Sequence, residues 1–263
     1  MKRLLLAFLV IGTEVYSVPV LEYTFEAQTD GLAVTSVADQ SGEGNTGIVS
    51  GQVFATSERF GIAGDFSGDS DYLSVADNPS LRPQKFTLEL SFRPNDPYTL
   101  YGDNPSTLLT RQITSVGTFI SNYNVNYDPV NDRITGQISW SAGSGLILTA
   151  NGISETAWSS VALVLNRDVA GTDDFFGLYL NGALVDSVQQ EIPTLGYTSG
   201  PLVIGAGNFG TPGGVFRRNF DGLLDNVRLS DEPLAPAQFI VPEPHAAAWL
   251  TLVAIGLGVR RRS

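Results

Sequence analysis

The 263-residue chain carries 27 Asp+Glu against 15 Lys+Arg, a net charge of −12, and no cysteine. Such an acidic field repels nucleic acid and anionic lipid, which excludes a nucleic-acid partner, and an exported chain without disulfides must stand on its core, helped at most by a metal. The single histidine, His245, lies within residues 241–263, so residues 18–240 hold no Ser-His-Asp or Cys-His nucleophile system and no His-ligated zinc.

Met1, Lys2 and Arg3 precede an apolar run from Leu4 to Gly12, and Val15 and Ser17 stand at the −3 and −1 positions of a cut before Val18. Residues 1–17 are expected to be a signal peptide, because strand-like sequence begins at Val18-Pro19-Val20, where a first core helix would have to continue. Leu21, Tyr23 and Phe25 alternate with Glu22, Thr24 and Glu26, the period of a half-buried strand. Next comes DQSGEGNTG, with Asp39, Ser41, Glu43 and Asn45 at every second position. The spacing matches the first half of a calcium loop, but Ser50 stands where the bidentate twelfth-position Glu belongs, so this is no EF-hand. Asp39 is kept as a candidate calcium ligand beside the reading of a Gly-rich turn, and Asp65, Asp69 and Asp71 form a similar cluster.

Tyr72 to Val75 is a short strand, and Phe86, Leu88, Leu90 and Phe92 alternate with Thr87, Glu89, Ser91 and Arg93 in a longer one. Tyr98 and Tyr101 lie in NDPYTLYGDNP, a loop expected to be exposed, and are candidate ligand contacts. Sugar binding needs flat aromatic faces beside planar amides. The strand TFISNYNVNYD offers Tyr123 and Tyr127 on one face and Asn122, Asn124 and Asn126 on the other. Either face is a candidate groove; the alternative makes the aromatics core and the amides a solvated surface.

Ile134, Ile138 and Trp140 mark a further strand, followed by Leu146 to Thr149 and Trp158 to Asn166. In FFGLYLNGALVDS, Asn181-Gly182 sits between two apolar runs, the signature of a type I′ hairpin. Pro201 to Gly205 and Gly222 to Leu229 complete the set. GAGNFG (Gly205 to Gly210) fits a dinucleotide-binding spacing, but Thr211-Pro212-Gly213-Gly214 cannot open the helix that chemistry requires. In LLDNVRLS, strict alternation puts Asp225 on one face with Leu223, Val227 and Leu229, where a carboxylate needs a cation, an arginine or several N–H donors. Helical periodicity is confined to the termini, and the pattern as a whole predicts an all-β antiparallel sandwich.

Five segments carry a more specific resemblance: GDFSGDSDYLSVADNPSLRPQKFTLELSFRP, WSSVALVLNR, FGLYLNGALVDS, PLVIGAGN and FDGLLDNVRLSDEPLAPAQF. Together they resemble the concanavalin A-like, LamG-type jelly roll of two stacked antiparallel sheets, over nearly all of residues 18–240. The resemblance implies adhesion, sugar binding or glycan hydrolysis, since the scaffold carries all three. It also implies one structural Ca2+ at Asp225, the position of the Asp in the Asp-x-Val-Arg-Val strand of lichenase-like relatives, with backbone carbonyls from near the N-terminal strand. A carboxylate satisfied by backbone donors or arginine remains the alternative. The Glu-x-Asp-x-x-Glu triplet of the lichenase-like hydrolases is absent from the sequence.

The chain ends in Val241-Pro242-Glu243-Pro244, then His245, fourteen uncharged residues from Ala246 to Val259, and Arg260, Arg261, Arg262 and Ser263. Fourteen helical residues span only about 21 Å, short of the ~20 residues that cross a bilayer comfortably, and the arginines stay on the cytoplasmic side. The arrangement closely resembles the PEP-CTERM sorting signal of exopolysaccharide-producing Gram-negative bacteria, which implies a membrane anchor before processing and an exosortase-type enzyme as partner. The expected organisation is signal peptide 1–17, LamG-like domain 18–240 and sorting segment 241–263. The expected function is a non-catalytic module that binds extracellular polysaccharide or a surface protein and is routed to the outer envelope or exopolysaccharide matrix. The alternatives are a carboxylate-dependent polysaccharide hydrolase or lyase on the same scaffold and a structural domain without ligand.

Overall fold

The computed structural model describes residues 18–58, 61–95, 105–115, 118–141, 143–154, 156–167, 173–207 and 218–240. The expected signal peptide, the C-terminal hydrophobic helix, Tyr98, Tyr101, Pro242, Glu243, Pro244 and Arg260, Arg261 and Arg262 lie outside them. Among the described residues no helix is long and apolar enough to cross a membrane, and helical structure is limited to two 3-10 turns, Pro79–Leu81 and Pro236–Gln238.

The strands in chain order are β1 (Pro19–Tyr23), β2 (Ala33–Val37), β3 (Gly47–Glu58), β4 (Gly61–Ser67), β5 (Tyr72–Val75), β6 (Phe86–Pro94), β7 (Ser106–Ser115) and β8 (Thr118–Asp128). There follow β9 (Arg133–Ser141), β10 (Ser144–Asn151), β11 (Ser159–Asn166), β12 (Phe175–Leu180), β13 (Ala183–Gln189), β14 (Leu202–Ile204) and β15 (Asp221–Ser230). All recorded pairings are antiparallel along the path β10-β9-β8-β7-β14-β5-β3-β4-β15-β6-β11-β12-β13. The long strand β3 joins the two halves, pairing through Gly47–Ser50 with β5 and through Phe54–Glu58 with β4.

The halves pack face to face. Phe86 of β6 lies 5.3 Å from Tyr123 of β8 between ring centroids, and Phe92 lies 6.1 Å from Tyr127. The sheets interdigitate closely enough that a Cβ on Gly136 of β9 would meet Cδ2 of Leu163 of β11 at 2.2 Å. One contiguous apolar cluster fills the space between them, the usual signature of a sandwich.

The alternation of burial holds in strands such as β5 and β9 and fails in several others, instructively in β6, whose outward residues Thr87, Glu89 and Ser91 are buried too. The segment after β15 crosses that outer face. Thr87 Oγ1 donates to Glu232 O at 3.0 Å and accepts from Leu234 N at 2.7 Å, and Phe239 sits edge-on against Tyr179 with centroids 4.9 Å apart. The Asn181-Gly182 hairpin forms as expected between β12 and β13, with φ of 50° and 80°. Ser160 N donates to Asn181 Oδ1 at 2.9 Å, which docks the turn onto β11.

Candidate functional site

The polar region of interest is the outer face of β7 to β10, buried at Thr107, Thr110, Asn124 and Asn126 and opening to solvent toward β9 and β10. Two cross-strand rows define it: Thr110, Asn124, Gln137 and Ile147, and beside it Thr107, Asn126, Thr135 and Thr149. Residues directly opposite on neighbouring strands share a face, so the rows follow from register. Neighbouring polar groups hold each other: Thr107 Oγ1 donates to Asn126 Oδ1 at 3.0 Å, Asn126 Nδ2 to Asn124 Oδ1 at 3.3 Å, and Gln137 Nε2 to Ser139 Oγ at 3.0 Å. Thr110 Oγ1 and Ser121 Oγ share a hydrogen bond of 2.9 Å.

At the end of this face, where β9 turns into β10, a cavity of about 240 Å³ is lined by Gln137, Ser139, Ser141, Gly143, Ser144, Gly145 and Ile147. Gly145 lets β10 lie close against β9 there, since a Cβ would meet Ile138 O at 2.3 Å and Ser139 Oγ at 2.7 Å. Ile147 is 62% exposed on the cavity rim. None of these residues stood out as a site in the sequence. The available signal was the polar face of β9, Thr135, Gln137 and Ser139, running into the Gly/Ser-rich turn.

Of the amides proposed from sequence, Asn124 and Asn126 occupy this face and Asn122 does not. β8 bulges at Asn122, which lies between Tyr123, opposite Arg111, and Ser121, opposite Gln112. Asn122 instead donates to Gly196 O at 3.0 Å. Tyr123 and Tyr127, candidate sugar platforms, are core residues, 0% and 1% exposed. The Tyr123 hydroxyl donates to Leu81 O at 3.1 Å, and burial pushes its pKa far up.

The acidic candidates have other surroundings. Asp39 is the hub of its turn: Oδ1 accepts from Glu22 N and Ser41 N, both at 3.0 Å, while Oδ2 accepts from Ser41 Oγ at 2.8 Å and Asn45 N at 2.9 Å. Four donors converge on the carboxylate, the geometry of an Asx-type turn. Asp71 likewise accepts from Gln52 N, Ser67 N and Ser67 Oγ. Among the described residues no group of three or more His, Cys, Asp or Glu is gathered for a metal.

Asp225 departs from the face predicted for it. Asn226 adopts φ of 51°, and the register skips between the pairs Asp225–Ser91 and Arg228–Glu89. This bulge turns Val227 and Leu229 to the core while leaving Asp225 outside with Leu223. Asn226 donates to both carboxylate oxygens, from its backbone N at 2.7 Å and its Nδ2 at 2.8 Å, and the Phe25 N–H adds a further hydrogen bond. Burial and the nearby Glu26 push the carboxyl up to about 6. Among the described residues Asp225 has no ion pair: N–H donors from Asn226 and Phe25 hold its carboxylate, and the uncompensated charge it shares with the nearby Glu26 is the one feature that suits a hard cation.

Glu89 of β6 is held at the other side of the sandwich. Its Oε2 accepts Arg228 Nε at 2.7 Å and its Oε1 accepts Ile240 N at 2.7 Å.

The family model described as "Concanavalin A-like lectin/glucanases superfamily" (Laminin_G_3) matches residues 67–239. Among solved structures, the chain is similar to the binding domain of Paraclostridial Mosquitocidal Protein 1 at 14% identity and a TM-score of 0.63, covering 84% of this chain and 50% of that one. It is similar to the binding domain of Botulinum Neurotoxin DC in complex with SialylT at 13% identity and a TM-score of 0.59, with the same coverages. The chain thus spans about half the length of these toxin chains. Domain 4 of AbnA, a GH43 extracellular arabinanase from Geobacillus stearothermophilus, solved with arabinotriose, matches at 15% identity and a TM-score of 0.54 over 84% of this chain and 96% of that one. At these identities the likeness is one of fold. The sequence finds no match among curated proteins.

Proposed function

The chain belongs to the concanavalin A-like lectin/glucanases superfamily, and from that premise we propose that it is an exported, non-catalytic carbohydrate-binding module. The observation that carries this reading is the open cavity where β9 turns into β10, lined by serine hydroxyls and the Gln137 amide, at the end of a polar face whose Thr107, Thr110, Asn124 and Asn126 are themselves buried. Such a surface offers paired donors and acceptors without a titratable group. The arabinotriose-bound domain and the SialylT-bound toxin domain support it as proteins of similar fold with carbohydrate ligands named for them. A surface protein as ligand is the second form of the same reading.

Hydrolysis or lysis on this scaffold would need two acids facing one cleft. The buried Glu89 is instead engaged by Arg228 and a backbone N–H. A structural Ca2+ would be held by Asp225 with Glu26 and main-chain oxygens near Phe25, supplying charge balance and no reaction chemistry. The tail, Pro242-Glu243-Pro244 to Arg260-Arg261-Arg262, would route the domain through an exosortase-type enzyme to the outer envelope or exopolysaccharide of a Gram-negative cell.

A glycan array probed with the full-length protein in mild detergent, with calcium and with EDTA, tests the binding reading. Binding to a defined glycan set is expected; silence across the array defeats it. Mass spectrometry of the mature protein tests the tail, since an intact Arg260 to Arg262 contradicts processing.

A further inference from the structure

We infer that the β9–β10 cavity selects uncharged glycans and rejects those bearing carboxylate, sulfate or phosphate groups. This deepens the carbohydrate-binding reading and rests on it. The described lining residues, Gln137, Ser139, Ser141, Gly143, Ser144, Gly145 and Ile147, are all uncharged. Among the described residues an anionic substituent entering there meets no arginine or lysine, and an anion stripped of water without a cation is strongly disfavoured. Neutral hydroxyls fit. Serine hydroxyls and the Gln137 amide both donate and accept, as a sugar's ring of hydroxyls does.

The surroundings push the same way. Along the cross-strand rows behind the cavity the residues are Thr107, Thr110, Asn124, Asn126, Thr135 and Thr149, again uncharged. At the far hairpin Arg133 Nη2 is already bonded to Asp128 Oδ2 at 2.7 Å. Beside β10 stands another acid, Asp186, whose Oδ2 accepts Thr149 N at 2.9 Å. Residues 18–240 carry 25 of the 27 Asp+Glu and only 10 of the 15 Lys+Arg, a net of −15, so a polyanion is repelled before it arrives.

Two features set how a neutral sugar sits. Ile147, 62% exposed, presents an aliphatic rim to the C–H face of a ring. The Gln137 amide is oriented by its bond to Ser139 Oγ at 3.0 Å. At about 240 Å³ the cavity is smaller than the ~300 Å³ at which pockets for drug-sized ligands begin. It therefore takes a terminal or side-branch ring, with the rest of the glycan leaving past the exposed Ile147.

The test is calorimetric titration of the full-length protein in mild detergent with three probe sets of matched length: neutral arabino- and gluco-oligosaccharides, oligogalacturonates, and sialylated oligosaccharides. Neutral probes are expected to bind at least 10-fold more tightly than either acidic set at low salt. Gln137→Ala and Ile147→Asp are expected to weaken neutral binding at least 10-fold at an unchanged melting temperature. Ser141→Arg is expected to raise affinity for oligogalacturonate. Equal or tighter binding of the acidic probes overturns this inference while leaving carbohydrate binding intact. Neutral binding that ignores both Gln137→Ala and Ile147→Asp also overturns it, by placing the ligand elsewhere. Failure of all three probe sets, on a protein silent across the glycan array, sinks the carbohydrate reading and the inference with it.

Discussion

Glu89 and Arg228, 139 positions apart in the chain, meet as cross-strand partners on β6 and β15, with Arg228 Nε donating to Glu89 Oε2 at 2.7 Å. The pair also grips the segment after β15: Arg228 Nη2 donates to Gln238 O at 2.7 Å, and Glu89 Oε1 accepts from Ile240 N. Glu89 is 1% exposed, so removing its partner strands a buried charge. Arg228→Met is expected to cost about 3 kcal/mol, read as a lower midpoint in urea unfolding. Adding Glu89→Gln should recover part of that loss, because the stranded charge is then gone.

Asp225 makes stability depend on pH. Its carboxyl is raised from 3.8 to about 6 in the fold by burial first and then by Glu26, so the folded state holds the proton more firmly than the unfolded chain. Stability from this group is therefore full below pH ~4, falls as pH rises through about 6, and levels off above, a difference of up to about 3 kcal/mol. Burial raises Glu89 and Asp65 as well, so the comparison is with Asp225→Asn in EDTA. The variant should show a flatter melting temperature between pH 4 and 7; parallel curves would refute this.

Calcium acts on the same carboxylate in the opposite sense, by compensating its charge. Added Ca2+ is expected to raise the melting temperature at pH 7, EDTA to reverse the rise, and Asp225→Ala to abolish it. No shift between calcium and EDTA removes the metal.

Asp39 should behave differently. Its four hydrogen bonds are local or reach back to Glu22 on β1. Asp39→Ala is expected to cost about 2 kcal/mol through lost charge-assisted bonds, while the calcium-dependent shift stays unchanged. Loss of that shift would make Asp39 part of the metal site after all.

Gly136 tests the closeness of the sheets. Gly136→Ala forces a methyl against Leu163 Cδ2 at 2.2 Å, which a packed interior resists by about 1–3 kcal/mol. Differential scanning calorimetry should show the loss, and Leu163→Val in the same chain should return part of it.

Much of the architecture was readable from two-residue alternation of apolar and polar residues, which β5 and β9 match in burial, while β8 and β11 carry the sequence pattern but are buried on both faces. β2, β3, β4 and β7 were not readable in this way. β3 carries Gly47 and Gly51 and mostly small or polar residues, since it bends between two sheets. In β7, Leu108 and Leu109 stand side by side across a register shift. Bulges also explain the misplaced site residues: an alternation rule passes through Asn122 and Asn226 as though each were an ordinary strand position, and so assigns Asn122 and Asp225 to the wrong faces. The burial of Tyr123 and Tyr127 was legible only as one of two alternatives, because an aromatic on a strand looks the same whether it meets a partner sheet or a sugar. The cavity at Ser141 to Gly145 escaped notice because its residues are small; what matters there is the space they leave, and only coordinates show space.

The clamp at Ile240 gives the domain a polarity. Ile240 lies against the outer surface of β6, and the open cavity lies on the outer surface of β9 and β10, beyond both sheets. The two features therefore face opposite ways, like the foot of a bowl and its mouth.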